Sequence, residues 1–441
     1  MTDDGRERLI MKKINVGIIG FGTVGKGVVK TLLSKRKFLE ERSEVSINLA
    51  KVADKDLRPR KGIRLPRRLL TKNIDSVIKD KNIDIIVELI GGMHPAKEIM
   101  LKAITLGKAV ITANKALLAE HGREIFTAAS RFRVPVGFEA SVGGGIPVIN
   151  ALRRSLVAND IELIYGILNG TSNFILSKMS EEGCGFHDAL DDAKSKGIAE
   201  SNPKLDISGV DASHKLAILA LLGFGLAVRP KHIYTEGIEG LDAADIQYAK
   251  SWGYDIKPLA IVEKVGQKLD LRVHPTLISS KTILASVKGE NNAIFVRGDM
   301  VGETLFYGKG AGSFPTASSV VSDIVDVAKI SGGFKKARSP FKIEFNGELK
   351  RIRKIEDLAI RYYLRFSAID KPGVLAKISG VLAQNKISIA TVAQKERKKG
   401  QPVPIIMLTH YANEGSMSKA LDKIKKLSFV TKKPVKIRIV R

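Results

Sequence analysis

The sequence predicts an α/β protein with a doubly wound parallel sheet at the N-terminus, an α+β middle region and a small α+β tail of βαββαβ order. Three observations carry this expectation. Residues 14–115 alternate short apolar runs with helical stretches over brief connections, as parallel strands joined by crossovers do. The first run passes directly into Gly20-Phe-Gly-Thr-Val-Gly25. A polar, basic stretch at 334–359 precedes a second, self-contained alternation of strands and helices over 360–441.

Residues 1–10 are polar and expected to fray, with Met11 offering an alternative start. Ile14–Ile19 lacks the alternation of a half-solvated strand and is expected to be covered on both faces. A helix follows from Thr23 to about Leu33, then a strand at Ile47–Val52 that ends at Asp54. A third strand, Ile83–Ile90, stops at Gly91-Gly92; Pro95–Leu106 is helical, proline being tolerated in a first turn. Ala109–Thr112 is the fourth strand and stops at Asn114-Lys115. In the middle region Ile161–Leu168 reads as a strand, and Asn169-Gly-Thr-Ser172 supplies caps for a helix through Met179. Residues 209–228 are helical, and 257–298 alternate apolar and polar as half-buried strands do. Tyr307-Gly-Lys-Gly-Ala-Gly312 reads as a second glycine loop that leads into a helix from Pro315. The tail places strands at Tyr362–Ile369, Ile387–Val392, Val403–His410 and Val435–Val440, with helices after Asp370-Lys-Pro-Gly373 and over Ser416–Leu427. The expected domains are 11–150 with 308–333 returning to it, 151–307, a linker at 334–359, and 360–441 as a separate small module.

Composition narrows the function classes. Hydrophobic content of 44% describes a globular chain, and the longest apolar run, Leu216–Val228, is too short to span a bilayer. There is no N-terminal apolar segment of a secretory signal. A single cysteine, Cys184, excludes an internal disulfide and a thiolate zinc cage, and suits the cytoplasm. The formal charge of +27 would attract nucleic acid, but the basic residues are dispersed, aromatics are only 6%, and no nucleic-acid module is present. Neither nucleic acid nor membrane is therefore expected as a partner.

The glycine motif at 20–25 is a G-x-G-x-x-G between a strand and a helix, the setting in which it binds a dinucleotide. Its glycines allow a tight turn, approach of backbone to a pyrophosphate and close helix packing, and the helix N-terminus favours the anion. The end of the second strand gives conflicting cues: Asp54 favours NAD through a ribose hydroxyl, whereas Lys55, Arg58 and Arg60 favour NADP through a 2′-phosphate. Glu139-Ala-Ser-Val-Gly-Gly-Gly-Ile-Pro147 has no regular periodicity; its glycines either let carbonyls converge on a cation or form a plain crossing loop. In 193–215, Glu200, Asp206, Asp211 and Lys215 fall where a loop becomes a helix, and Asp211 and Lys215 stand one turn apart on one face. Burial beside the following apolar run lowers a lysine pKa toward neutrality, which suits an acid or base. The plainer alternative is a solvated ion pair capping a core helix.

Ile111-Thr-Ala-Asn-Lys115, the Glu139 segment, Leu168-Asn-Gly-Thr-Ser-Asn-Phe174, the 193–215 segment and Gly308-Lys-Gly-Ala-Gly312 together resemble homoserine dehydrogenases over residues 12–333. Ile198 stands where an aromatic is common in that family. The resemblance implies a Rossmann-type cofactor domain, a substrate-binding and dimerisation domain, and NAD(P)H-dependent interconversion of L-aspartate 4-semialdehyde and L-homoserine on the way to threonine and methionine. It implies Lys215 and Asp211 as catalytic residues, Glu200 and Asp211 as ligands of the substrate, and Gly20, Phe21, Gly22, Thr23, Val24, Gly25, Gly91, Lys115, Gly197 and Gly310 against NADP or NAD. It further implies a monovalent cation, Na+ or K+, at Glu139, Val142, Gly144 and Ile146, and a homodimer or homotetramer. The tail segment Leu364–Leu382 resembles the opening of an ACT domain, which implies an amino-acid effector, threonine by position in the pathway. Two other readings stay open. Another Rossmann oxidoreductase acting on an amino-acid aldehyde would share the fingerprint but not 193–215. A non-catalytic amino-acid sensor would keep the tail and dispense with the charged residues.

Overall fold

The computed structural model describes residues 13–58, 62–333, 349–394 and 403–440, and the chain divides into two compact units. The first comprises 1–159, 217–230 and 306–347; the second comprises 160–216, 231–305 and 348–441. The helix Val210–Phe224 is shared between them along its length. Arg60 and residues 334–348 of the expected linker lie outside the described residues.

The first unit is a six-stranded parallel sheet in the order β3-β2-β1-β4-β5-β6. Its strands are β1 (Lys13–Ile19), β2 (Ser46–Ala53), β3 (Leu70–Thr71), β4 (Ile85–Glu88), β5 (Ala109–Thr112) and β6 (Val136–Gly137). Ile14, Val16 and Ile18 have no exposure and pack with Val28 and Val29 of helix Thr23–Ser34 and with Ala317, Val320 and Ile324 of helix Ser313–Gly333. That returning helix begins two residues before Pro315, a first-turn position whose N–H would have no intrahelical partner. A Cβ on Gly27 would lie 2.6 Å from the Ser313 carbonyl oxygen, so the glycine lets these two helices touch. The strand order reverses between β1 and β4, which makes the loops after those strands the expected ligand crevice.

The second unit is built on one large mixed sheet. The sheet's strands are β7 (Ile161–Ile167), β8 (Tyr234–Thr235), β9 (Tyr254–Val265), β10 (Lys268–Ser279), β11 (Asn291–Gly298), β12 (Gly302–Lys309, whose residues 306–309 are counted with the first unit), β13 (Ala359–Ala368), β14 (Ile389–Gln394), β15 (Val403–Thr409), β16 (Ala412–Asn413) and β17 (Val435–Ile439). They follow the order β12-β11-β7-β9-β10-β17-β13-β15-β14, with β8 on β10 and β16 on β13. Two expectations change here. Tyr307, Gly308 and Lys309 are strand, not loop, so the second glycine turn is confined to Gly310–Gly312; glycine is tolerated in an outermost strand that presents alternate side chains to solvent. The 193–215 segment also contains an extra short helix, Lys204–Ile207, between the end of helix Phe186–Ser195 and helix Val210–Phe224.

The tail has the expected βαββαβ order, with strands arranged β17-β13-β15-β14 and helices Val374–Gln384 and Glu414–Ile424. The second tail strand, β14, lies beyond β15 and does not border the first. The tail also joins the sheet of the middle region. β17 pairs in parallel with β10, Thr276 opposite Arg438 and Leu277 opposite Ile439, which makes one continuous sheet. β13 is covered on both faces. Tyr362, Leu364 and Phe366 pack with Ile378, Met417 and Ile424 of the tail helices, while Tyr363 packs with Ile175, Leu176 and Met179 of helix Gly170–Glu182. Among the described residues no helix is long and apolar enough to cross a membrane.

Candidate active site

In the first unit the loop after β1 is held from three sides. Gly20 adopts φ +109°, where an added Cβ would lie 2.5 Å from Leu89 backbone atoms, and a Cβ on Gly25 would lie 2.1 Å from the Gly20 carbonyl oxygen. Gly25 therefore closes the loop on itself, and Gly27, outside the motif, provides the close helix packing. Phe21 N–H donates to Asp54 Oδ2 at 2.5 Å, and Asp56 N–H donates to Asp54 Oδ1 at 2.8 Å. Arg58 grips Asp56 through two bonds of 2.9 and 2.8 Å.

After β4 the chain turns at Gly91, φ +71°, under the control of Glu88. Its fully buried carboxylate accepts from Ile90 N–H (2.8 Å), Gly91 N–H (3.3 Å) and Thr112 Oγ1 (2.7 Å), and burial holds its pKa above the usual range despite those bonds. After β5, Asn114 accepts from Leu117 N–H at 3.1 Å and donates to the Gly92 carbonyl at 2.6 Å. That cap starts helix Lys115–Phe132 and sets Lys115, half-buried, at the carboxyl end of β5.

The 139–147 segment forms a short 3₁₀ turn, Glu139–Ser141, and a glycine turn that meets the second one. Gly144, φ +57°, faces the Gly310 carbonyl so closely that a Cβ would come within 2.5 Å of it; Gly145 N–H donates to the Lys309 carbonyl at 3.1 Å. Glu139 is buried, and its carboxylate accepts from Ile149 and Asn150 N–H groups at 2.9 and 2.8 Å, while burial pushes its pKa up to about 7. Its side chain thus caps the helix that follows. The Gly144 carbonyl accepts from Ser319 Oγ (2.7 Å) and the Ile146 carbonyl from Val148 N–H (2.8 Å), each of which uses one of two lone pairs. Any cation in this turn fits backbone carbonyl donors, and no trio of His, Cys, Asp or Glu side chains among the described residues competes for a metal.

In the second unit the chemistry gathers at the end of β7. Lys215 and Asp211, buried on the first turns of helix Val210–Phe224, form an ion pair of 2.7 Å. Lys215 Nζ also donates to the Leu168 carbonyl at 2.5 Å. Asn169 Nδ2 donates to Asp211 Oδ2 (2.9 Å) and to Asp206 Oδ1 (2.7 Å), while its Oδ1 caps helix Gly170–Glu182 through Ser172 N–H (2.8 Å). Asn292 Nδ2 from β11 reaches the same Leu168 carbonyl at 3.0 Å. Asp206, Asp211 and Lys215 are therefore brought together, as their spacing in the sequence suggested. Glu200 is exposed on the turn after Gly197, φ +68°, and takes no part in this network among the described residues. Sequence reading missed Asn169 as the bridge, Asn292 and Glu88. A glutamate inside the apolar run of β4 was the available signal for Glu88; nothing local marks Asn292.

The chain is similar to known proteins over nearly its whole length. Residues 20–139 match the family model "Homoserine dehydrogenase, NAD binding domain", 147–325 match "Homoserine dehydrogenase", and 362–429 match "ACT domain". The homoserine dehydrogenase of Neisseria gonorrhoeae is 43% identical over 432 residues, 97% of this chain and 99% of that protein. The chain belongs to the homoserine dehydrogenase family. The crystal structure of a homoserine dehydrogenase from Thiobacillus denitrificans superposes with a TM-score of 0.89 at 44% identity, covering 98% of this chain and 99% of that one. A hyperthermophilic archaeal homoserine dehydrogenase in complex with NADPH superposes with a TM-score of 0.60 at 28% identity over 71% of this chain and 97% of that one. The activity is that of the homoserine dehydrogenases, NAD(P)-dependent interconversion of aspartate 4-semialdehyde and homoserine, on a chain that ends in an ACT domain.

Proposed function

We propose that Lys215 is the acid that protonates the alkoxide formed from the aldehyde, and the base that takes the hydroxyl proton in the reverse direction. A bound reduced nicotinamide supplies the hydride. The observation that carries this reading is the buried Lys215, fixed by Asp211 and by the Leu168 carbonyl. Two of its N–H donors are spent on fixing its direction, so the amine is positioned before substrate arrives. Asp211, held in turn by Asn169, orients the amine and contacts the substrate. Glu200, on its exposed turn, binds the substrate ammonium through a charge-assisted hydrogen bond. Lys215→Ala should lower kcat by a factor on the order of 10²–10⁴ and leave cofactor affinity nearly unchanged. Near-normal turnover in that variant would remove Lys215 from this role.

The loop Gly20–Gly25, Gly91, Lys115, Gly197 and Gly310 line the dinucleotide in this reading. NADPH is the favoured cofactor: Asp54 spends its carboxylate on the Phe21 N–H of the loop and on the Asp56 N–H, and the archaeal relative carries NADPH. A higher kcat/KM for NADH than for NADPH would reverse that preference. The carbonyls of Glu139, Val142, Gly144 and Ile146 hold a Na+ or K+ ion that braces the two glycine turns; melting in KCl or NaCl against tetramethylammonium chloride at equal ionic strength tests it. Threonine binds at the Asp370–Gly373 turn and the N-terminus of helix Val374–Gln384, where backbone N–H groups suit a carboxylate. The enzyme works in the cytoplasm as a dimer or tetramer, with exposed β14 at the sheet's end a ready pairing edge; light scattering decides the assembly.

A further inference from the structure

Asn292 is 1% exposed on β11, where the antiparallel register sets Ala293 against Ile167 and so brings Asn292 to Leu168. Its Nδ2 donates to the Leu168 carbonyl at 3.0 Å, and the same oxygen accepts from Lys215 Nζ at 2.5 Å. The amide orientation follows from chemistry, since a carbonyl only accepts. The other end of the amide, Oδ1, is buried with no partner among the described residues. A side chain kept only to fill space in a sheet would avoid that, because buried polar atoms are almost always paired; a leucine would fill the place without an orphan acceptor.

We infer that Asn292 is a positioning residue for the proton transfer, setting the basicity and direction of Lys215 through the carbonyl they share. The inference rests on the reading of Lys215 as the acid and base. Two donors on one carbonyl compete for its electron density. With Asn292 in place the Leu168 oxygen is a weaker acceptor for the Lys215 ammonium, which favours the neutral amine. The charged groups near Lys215 include Asp211 on its own helix and, joined to Asp211 by Asn169, Asp206 on the short helix Lys204–Ile207; Asn292 and Leu168 bring no charge from β11 and β7. The amide therefore offsets part of the pull that Asp211 exerts toward the ammonium.

The test is the pH profile of homoserine oxidation, in which Lys215 must be neutral to accept the proton. Asn292→Ala should move the rising limb of kcat to higher pH by about 0.5–1 unit, the equivalent of one hydrogen bond, and lower kcat at neutral pH several-fold. KM for the nicotinamide cofactor should stay the same. Asn292→Asp, of the same shape, should move the limb further upward, because an added carboxylate favours the ammonium. It decides the matter if the alanine variant does not fold. An unmoved limb in both variants, with Lys215→Ala inactive, overturns the inference and leaves Lys215 in its role. If Lys215→Ala itself keeps the turnover and the limb of the unaltered enzyme, the reading of Lys215 fails instead.

Discussion

Glu414, 3% exposed, holds three groups of the tail and shows how one carboxylate governs a buried network. It accepts two bonds from Arg438 (Nε at 2.9 Å, Nη2 at 2.8 Å), one from Tyr362 (2.8 Å) and one from Lys436. Burial works to raise its pKa, but Arg438 and Lys436 outweigh burial and the carboxyl sits below its usual range. A depressed acid contributes stability above its unfolded pKa and loses it as pH falls through the folded value. Glu414→Gln should cost on the order of 1.5–3 kcal/mol at pH 7, since it weakens charge-assisted bonds to a buried guanidinium that keeps Glu236 as its other carboxylate. The gap to the unaltered protein should narrow as pH drops below about 4.5, which denaturant melts at a series of pH values would show. At the substrate, Glu200→Gln should raise KM for homoserine by a loss nominally about 1.5–3 kcal/mol, and leave a substrate without the amino group indifferent. Equal losses for both substrates would make Glu200 structural.

At the scale of elements, the first unit was readable because its strands are continuous apolar runs and its first turn carries glycines, of which Gly20 and Gly25 leave no room for a Cβ. Gly25→Ala makes the point: a Cβ 2.1 Å from the Gly20 carbonyl would push the loop apart. Titration with NADPH should then show dinucleotide affinity reduced at least tenfold, while Lys215 and its neighbours in the second unit stay in place. Tight binding in that variant would mean the loop does not carry the pyrophosphate. The ends of elements were harder to read. Tyr307–Lys309 looked like loop because Gly308 lies within them and Gly310 follows, yet they continue β12, since an outermost strand tolerates glycine that a central one does not. The 139–147 turn and Gly310–Gly312 were seen as two loops 160-odd residues apart; their contact, Gly144 against Gly310, is a matter of packing and leaves no periodic trace.

For the whole molecule, the tail's second face changes what cutting the chain should do. Residues 360–441 have the order of a free-standing regulatory domain, and on the sequence a break after Gly333 promises an active enzyme without its sensor. The structure argues otherwise. β17 continues the sheet of β10, and Asp245, fully buried on helix Ala243–Ser251, accepts from Tyr363 (2.8 Å) and from Arg365 (2.6 and 2.9 Å). A chain ending at Gly333 would leave that carboxylate buried without its cation or expose it with the apolar face around Met179. We therefore expect the fragment to aggregate or melt without a cooperative transition, by circular dichroism. A soluble, cooperative fragment would show that the tail is independent after all. With threonine as the proposed effector, and these contacts as its proposed route to the rest of the second unit, Arg365→Lys should weaken the two-bond grip on Asp245 and reduce inhibition by threonine more than it reduces threonine binding by calorimetry.

The sequence by itself determined the fold class, the glycine loop after the first strand and the pairing of Asp211 with Lys215, because each depends on residues close along the chain: apolar runs of strand length, glycines two and three apart, charges one helical turn apart. It also placed both substrate-side and tail motifs in the homoserine dehydrogenase pattern. Only the tertiary structure decided what lies across the chain from these. Asn169 bridges Asp206 and Asp211, Asn292 shares a carbonyl with Lys215, and Arg438 joins Glu414 to Glu236 from 202 residues away. Such partners are chosen by strand register and by the need to pair buried polar groups, and neither leaves a local pattern to read.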